Sequence, residues 1–183
     1  MRLVAGVMLI IVFPFLVILS ILIRMESKGS PLFRQKRVGK GGKIFIIYKL
    51  RTMRLSNEPI NVNSVISSVI ELKKLDSLRI TYIGKHLRKF HIDELPQLWN
   101  ILKNEMTFIG PRPLIISMAK REYYAPRDEN IRPGLTGLAQ ISSLSEIRGY
   151  NVSKLDKFYC KKICLMLNFL IIIKTIVFII RKI

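Results

Sequence analysis

The sequence predicts an α+β protein, mostly helical, with an apolar N-terminal membrane helix, one small β-hairpin and amphipathic helices that lie at an interface. Leu3 to Ile23 is a run of 21 residues without a charge, long enough to cross hydrocarbon as a helix at about 20 residues per crossing. Leu32–Val38 and Lys43–Leu50, rich in β-branched and aromatic residues, flank Gly39-Lys40-Gly41-Gly42, which is the pattern of a hairpin. Such strand-like stretches are too few for a doubly wound sheet, and the chain carries no Gly-rich dinucleotide fingerprint and no P-loop.

The 183 residues make about one ordinary domain. Half are hydrophobic, yet Lys+Arg 31 against Asp+Glu 12 leaves a net charge of +19. A disordered basic tail is excluded, because such tails lack the apolar residues that build a core. Apolar blocks at both ends argue against an ordinary soluble enzyme. Two cysteines, Cys160 and Cys164, do not make a disulfide scaffold; on a helix they would share a face as reduced packing residues.

The first apolar run is too long for the core of a signal peptide, and Arg24-Met25-Glu26-Ser27-Lys28 offers no small-residue cleavage site. It reads as a retained anchor. Pro14 removes a backbone donor and crowds the carbonyl of Ile10, so it marks a kink. The helix then either spans fully or turns at the proline and returns to the side it entered. From Arg24 to Glu58 there are ten basic and two acidic residues. That excess places the flank, and the bulk of the protein, on the cytoplasmic membrane face.

Asn57 to Ser68 reads as a surface loop, and Ser67–Leu78 and Tyr82–Lys89 as basic helices. Asp93 to Lys103 is a further helix, with Leu95, Leu98, Trp99 and Leu102 on one face and Asp93 at its N-cap. From Ile163 to Ile183, Asn168, Thr175 and Lys182 recur every seven residues, as do Lys174 and Arg181. They form a narrow polar stripe on an apolar helix. A crossing would bury Lys174 at mid-membrane, so this helix lies in the interface or packs against the anchor.

Asp93 and Glu94 stand together in a chain with few acidic residues, just after Lys85, Arg88 and Lys89. Ile109-Gly110-Pro111-Arg112-Pro113 follows; its prolines hold the Arg112 guanidinium in place, ready for phosphate oxygens. In Arg132-Pro133-Gly134-Leu135-Thr136-Gly137-Leu138-Ala139-Gln140 the glycines permit close backbone approach to a ligand. A carboxylate pair among arginines on a membrane-facing basic body fits metal-assisted chemistry on a phosphate ester. His86 and His91 match no familiar zinc spacing and read as surface or packing residues.

These stretches resemble the bacterial sugar transferases, the monotopic phosphoglycosyltransferases that start glycan assembly on a polyprenol phosphate. The matching segments are PLFRQKRVGKGGKIFIIYKLRTMR from Pro31, GKHLRKFHIDELPQLWNILKNEMTFIGPRPL from Gly84 and RPGLTGLAQ from Arg132. The resemblance implies transfer of a phosphosugar from a UDP-sugar to undecaprenyl phosphate, releasing UMP, at the cytoplasmic face of the inner membrane. It implies catalytic Asp93 and Glu94 with Mg²⁺ held between them. Asp93 would form a covalent phosphosugar intermediate, which splits one hard displacement into two easier ones. Lys49, Arg88 and Arg112 match positions that face the phosphates or the nucleotide. The family also implies a re-entrant helix over residues 1–24, bent at Pro14, ahead of a catalytic domain over 25–183. In the absence of a larger N-terminal membrane domain it implies a minimal member.

Four departures from the family pattern stand out: Phe13 before the bend proline, Ile141-Ser142-Ser143-Leu144 after Gln140, Asn168 for an aspartate and Leu170 for a lysine. None touches Asp93, Glu94 or Arg112. The competing readings are a membrane-tethered binder of nucleic acid or anionic lipid, and a purely structural membrane protein. Nucleic-acid binders interleave aromatics with their charge, whereas here the charge crowds the membrane flank. The expected partners are therefore a UDP-sugar, undecaprenyl phosphate and the membrane, with no nucleic acid; a homodimer is left open.

Overall fold

The computed structural model describes residues 1–55, 78–116, 130–142 and 149–181. Helix α1 (Arg2–Glu26) continues through Pro14 without a break in helical backbone. The hairpin follows: β1 (Leu32–Val38) pairs antiparallel with β2 (Ile44–Leu50), Leu32 opposite Leu50 and Val38 opposite Ile44. Phe45 and Ile47 point inward while Ile44 and Ile46 are exposed, the alternation expected of a half-buried strand. Then come α2 (Tyr82–Lys89), a 3-10 helix (Ile92–Gln97), α3 (Leu98–Leu102), β3 (Thr107–Ile109) and β4 (Leu114–Ile115). The last elements are β5 (Gly134–Thr136), α4 (Leu138–Ile141), α5 (Gly149–Lys161) and α6 (Leu165–Ile180). β4 joins the hairpin in the order β2-β1-β4, and β3 and β5 form a separate parallel pair. The protein is mostly helical with little sheet.

Two apolar clusters hold α1 to the body at opposite ends. Ala5 packs with Phe45, Ile47, Leu98, Ile101 and Met106; Leu19 and Ile23 pack with Leu50 and Leu87. Arg2 Nε donates to the Leu102 carbonyl at 3.0 Å. At the other end the Arg51 guanidinium donates to the carbonyls of Lys28 and Ser27. This satisfies carbonyls just past the C-terminus of α1, where a cation is also favoured by the helix dipole. Glu26 in turn accepts from the backbone N–H groups of Tyr82 and Ile83 at the start of α2. The helix therefore lies along the body, and its outer face, from Leu3 to Met25, is exposed and apolar.

Helix α6 packs on β3, β5 and α4. Its inward residues include Ile171, fully buried, and Thr175, whose hydroxyl lies 2.8 Å from that of Thr136. Asn168 Oδ1 lies 2.9 Å from the Tyr159 hydroxyl, so asparagine keeps a polar contact at this position. Leu165, Met166, Phe169, Ile173 and Ile176 face outward. Asn168 and Thr175 of the polar stripe are turned toward the protein, Lys174 and Arg181 are exposed, and the apolar residues named above point away from it.

Three expectations change. The segment Asp93 to Lys103 is two elements, because His91 adopts a left-handed conformation (φ 56°) and the chain then winds as a 3-10 helix through Pro96. At 3.0 residues per turn the buried face becomes Pro96, Gln97, Leu98 and Ile101, and Trp99 is 45% exposed. Asp93 is not the N-cap: His91 occupies that position, and Asp93 is buried inside the 3-10 helix. Cys160 and Cys164 do not share a helical face, because α5 ends at Lys161 and Cys164 caps α6, its sulfur accepting from Leu167 N–H. Both are free thiols. The expected loop Asn57–Ser68 and all but Leu78 of the expected helix Ser67–Leu78 lie outside the described residues.

Candidate active site

Asp93 and Glu94 sit on the 3-10 helix, Lys49 on β2 and Arg88 on α2, and the fold brings the four together. Lys49 Nζ lies 2.6 Å from Glu94 Oε1 in a half-buried ion pair. Asp93 is 8% exposed. Burial, and then the charge of Glu94, raise its pKa to about 6, against the opposing pull of Lys49 and Arg88. A carboxylate so placed is desolvated and close to two cations that can take up an anionic ligand.

The positions of those cations follow from local sequence. Thr81 caps α2, its hydroxyl accepting from Gly84 N–H at 3.0 Å. Gly84 must be glycine: a Cβ there would come within 2.2 Å of the Thr52 carbonyl oxygen. That close approach brings the next turn over Thr52, where Arg88 Nε donates to Oγ1 at 2.7 Å. Lys49 is held by its strand. The buried Asn100 donates to the Ile46 carbonyl at 2.6 Å and accepts from Tyr48 N–H at 3.3 Å, fixing β2 against α3.

Arg112 lies between β3 and β4, and its charge acts on Arg37, on which the charge of Glu94 also acts. Pro111 and Pro113 are buried and Arg112 is exposed between them, so the loop presents the guanidinium outward from two anchored residues. The stretch from Arg132 to Thr136 packs against the Arg112 loop. Gly110 N–H donates to the Thr136 carbonyl and Gly134 N–H to that of Pro111, both at 2.9 Å. A Cβ on Gly134 would lie 2.0 Å from Gly110 N. The close approach at Gly134 is backbone to backbone, and it braces the Arg112 loop.

Arg37, one cation among the basic flank in the sequence, joins this group. It lies on β1, and the charges of both Arg112 and Glu94 act on it. Nothing in the sequence separates it from its basic neighbours, although the period-2 alternation of β1 could have placed it on the same strand face as Gln35. Asn100 was equally unmarked, its position in an apolar helical segment being the one available hint. His91 rests against the Phe178 ring, with centroids 5.8 Å apart, and His86 against that of Tyr82 at 4.9 Å, so both rings pack against aromatics.

Among the described residues no three His, Cys, Asp or Glu side chains cluster. Two adjacent carboxylates do fit Mg²⁺ that arrives on a diphosphate, since that ion is held through one or two carboxylates plus phosphate oxygens and waters. Beside the site runs an open groove of about 540 Å³ between α1 and the hairpin, a volume usual for small-molecule sites. Leu9, Phe13 and Leu16 of α1 face Tyr48, Pro96 and Trp99 across it.

The bacterial sugar transferase family model matches residues 2–182. The chain is 36% identical over 176 residues to a UDP-N-acetylgalactosamine-undecaprenyl-phosphate N-acetylgalactosaminephosphotransferase of Aeromonas hydrophila, covering 89% of this chain and 38% of that protein. It is 41% identical to a UDP-glucose:undecaprenyl-phosphate glucose-1-phosphate transferase of Caulobacter vibrioides, over 72% of this chain and 48% of that one. An undecaprenyl-phosphate galactose phosphotransferase of Salmonella typhimurium is 30% identical over 95% of this chain and 38% of its own length. The chain thus spans less than half the length of each of these three relatives. With a match from end to end, the chain belongs to the bacterial sugar transferase family.

Proposed function

We propose that this protein transfers a phosphosugar from a UDP-sugar to undecaprenyl phosphate at the cytoplasmic face of the membrane. The observation that carries the reading is the buried Asp93 beside Glu94, facing Lys49 and Arg88, at the edge of an apolar groove. The relatives' names supply the substrate class, since each carries a UDP-sugar or an undecaprenyl phosphate. A binder of nucleic acid finds no support among them.

In the first step an Asp93 oxygen attacks the β-phosphorus of the donor, and the bond from that phosphorus to the bridging oxygen breaks. UMP leaves with the bond's electron pair, and the phosphosugar stays as an acyl phosphate on Asp93. In the second step an oxygen of undecaprenyl phosphate attacks the same phosphorus, freeing the Asp93 carboxylate and giving the diphosphate-linked sugar. Lys49 and Arg88 stabilise charge on the phosphates, and Arg112 binds the donor. Glu94 orients Lys49 and assists the incoming carrier phosphate. Mg²⁺, held by Asp93 and Glu94 when bound, would neutralise diphosphate charge and make UMP a better leaving group.

The apolar surfaces support a membrane setting. Helix α1 is, among the described residues, the one helix long and apolar enough to cross a bilayer. Both its ends nevertheless pack on the same body, which favours a helix held on one side of the membrane over one that spans. The outward apolar face of α6 suits the same leaflet. Membranes carrying the protein, given Mg²⁺ and a panel of UDP-sugars, should release UMP from at least one, and Asp93→Asn should release none. Release by the variant at the wild-type rate would refute the assignment.

A further inference from the structure

Arg37 is placed where a second guanidinium can serve the donor site through Arg112. Its Nη1 donates to the Pro113 carbonyl at 3.0 Å and its Nη2 to Gln35 Oε1 at 2.6 Å. Nε is buried and finds no acceptor among the described residues. Backbone pairing of Arg37 with Ile115 and of Val38 with Leu114 places β4, which follows the Arg112 loop, along the same strand. The fork therefore ties the hairpin to the carbonyl next to Arg112.

Charge gives this tie a direction. Burial and the neighbouring Arg112 hold the Arg37 pKa below the usual range, and Glu94 opposes them. Glu94 is already paired with Lys49. Arg37 and Arg112 thus stand close enough for their charges to act on each other, with the carboxylate that acts on Arg37 engaged by Lys49. Bidentate donors in that arrangement match the oxygens of a diphosphate.

We infer that Arg37 is a positioning residue for the donor: its fork holds the Arg112 loop so that Arg112 meets the diphosphate of a nucleoside diphosphate. This deepens the phosphosugar-transfer reading and rests on it. The role needs the fork and not merely a positive charge. Lysine at this position keeps the charge but lacks the planar fork whose two separate nitrogens donate to Pro113 and Gln35.

Two readouts test it, calorimetric binding of UDP and the KM of the UDP-sugar in UMP release. Arg37→Met should weaken UDP and raise KM by about ten- to a hundredfold, the usual loss for charge-assisted hydrogen bonds, with kcat changed far less. Arg37→Lys should behave like Arg37→Met, and Arg37→Met combined with Arg112→Met should cost no more than the worse single change. Unchanged UDP binding in Arg37→Met, full recovery by lysine, or losses that multiply in the double variant would each overturn the role. Should Arg37→Met fail to fold, Gln35→Leu frees one limb of the fork and should raise KM severalfold; an unchanged KM there would overturn it too. Wild type that binds UDP yet releases no UMP would sink the transfer reading, while Arg37 is still judged by UDP affinity.

Discussion

The Asp93 carboxyl is 8% exposed, and its pKa stands at about 6 against an ordinary 3.8 because burial and Glu94 disfavour the charge. The folded state then holds the proton more tightly than the unfolded chain. Stability falls as pH rises from about 4 through 6, and above 6 the full penalty is present. Metal-free Asp93→Asn should accordingly be more stable than wild type at pH 8, by up to about 3 kcal/mol at 1.36 kcal/mol per pH unit. The gap should close below pH 4. Thermal melts in EDTA across that range check this, and equal melting temperatures at pH 8 would contradict the buried charge. At this scale the sequence displayed Asp93, Glu94 and Arg112 through their spacing and their resemblance to a family motif. It hid Arg37 and Asn100, because one arginine in a flank of ten cations and one asparagine in an apolar segment look like any other until the strand and helix meet. Asn100→Leu should destabilise by about 2–4 kcal/mol, since it strips the Ile46 carbonyl and Tyr48 N–H of their buried partner. Urea denaturation in detergent measures it.

Elements were legible where local chemistry decides them. The hairpin has the expected bounds to within a residue, and α2 runs from Tyr82 to Lys89 as its composition indicates. The segment after His91 was not legible, because a left-handed residue followed by a 3-10 turn shifts every face by a fraction of a turn. The same holds for Gly134, whose freedom is used against Gly110 in a strand neighbour distant in sequence. Gly134→Ala should force β3 and β5 apart and cost on the order of 3 kcal/mol or more. Loss of donor affinity should accompany the lowered melting temperature, because the Arg112 loop hangs on that pair. A variant that melts early yet keeps wild-type KM would separate the brace from the site.

For the whole molecule, hydropathy gave the length of α1 but not its placement, since apolar character is the same whether a side chain meets lipid or core. The structure places Ala5 and Ile23 against one body, with exposed apolar faces on α1 and α6. Single cysteines at residues 2 and 40, in a background without Cys160 and Cys164, should both be shielded from an impermeant maleimide added outside cells. Labelling of residue 2 alone would establish a spanning helix. The central claim is that a buried carboxylate on this membrane-bound body becomes the temporary carrier of the phosphosugar. Its most direct test is mass spectrometry of the protein quenched with the UDP-sugar that yields UMP, in the absence of undecaprenyl phosphate. The account predicts the mass of one sugar phosphate on the peptide containing Asp93, discharged when the carrier lipid is added. UMP release with an unmodified peptide at every quench time would contradict it.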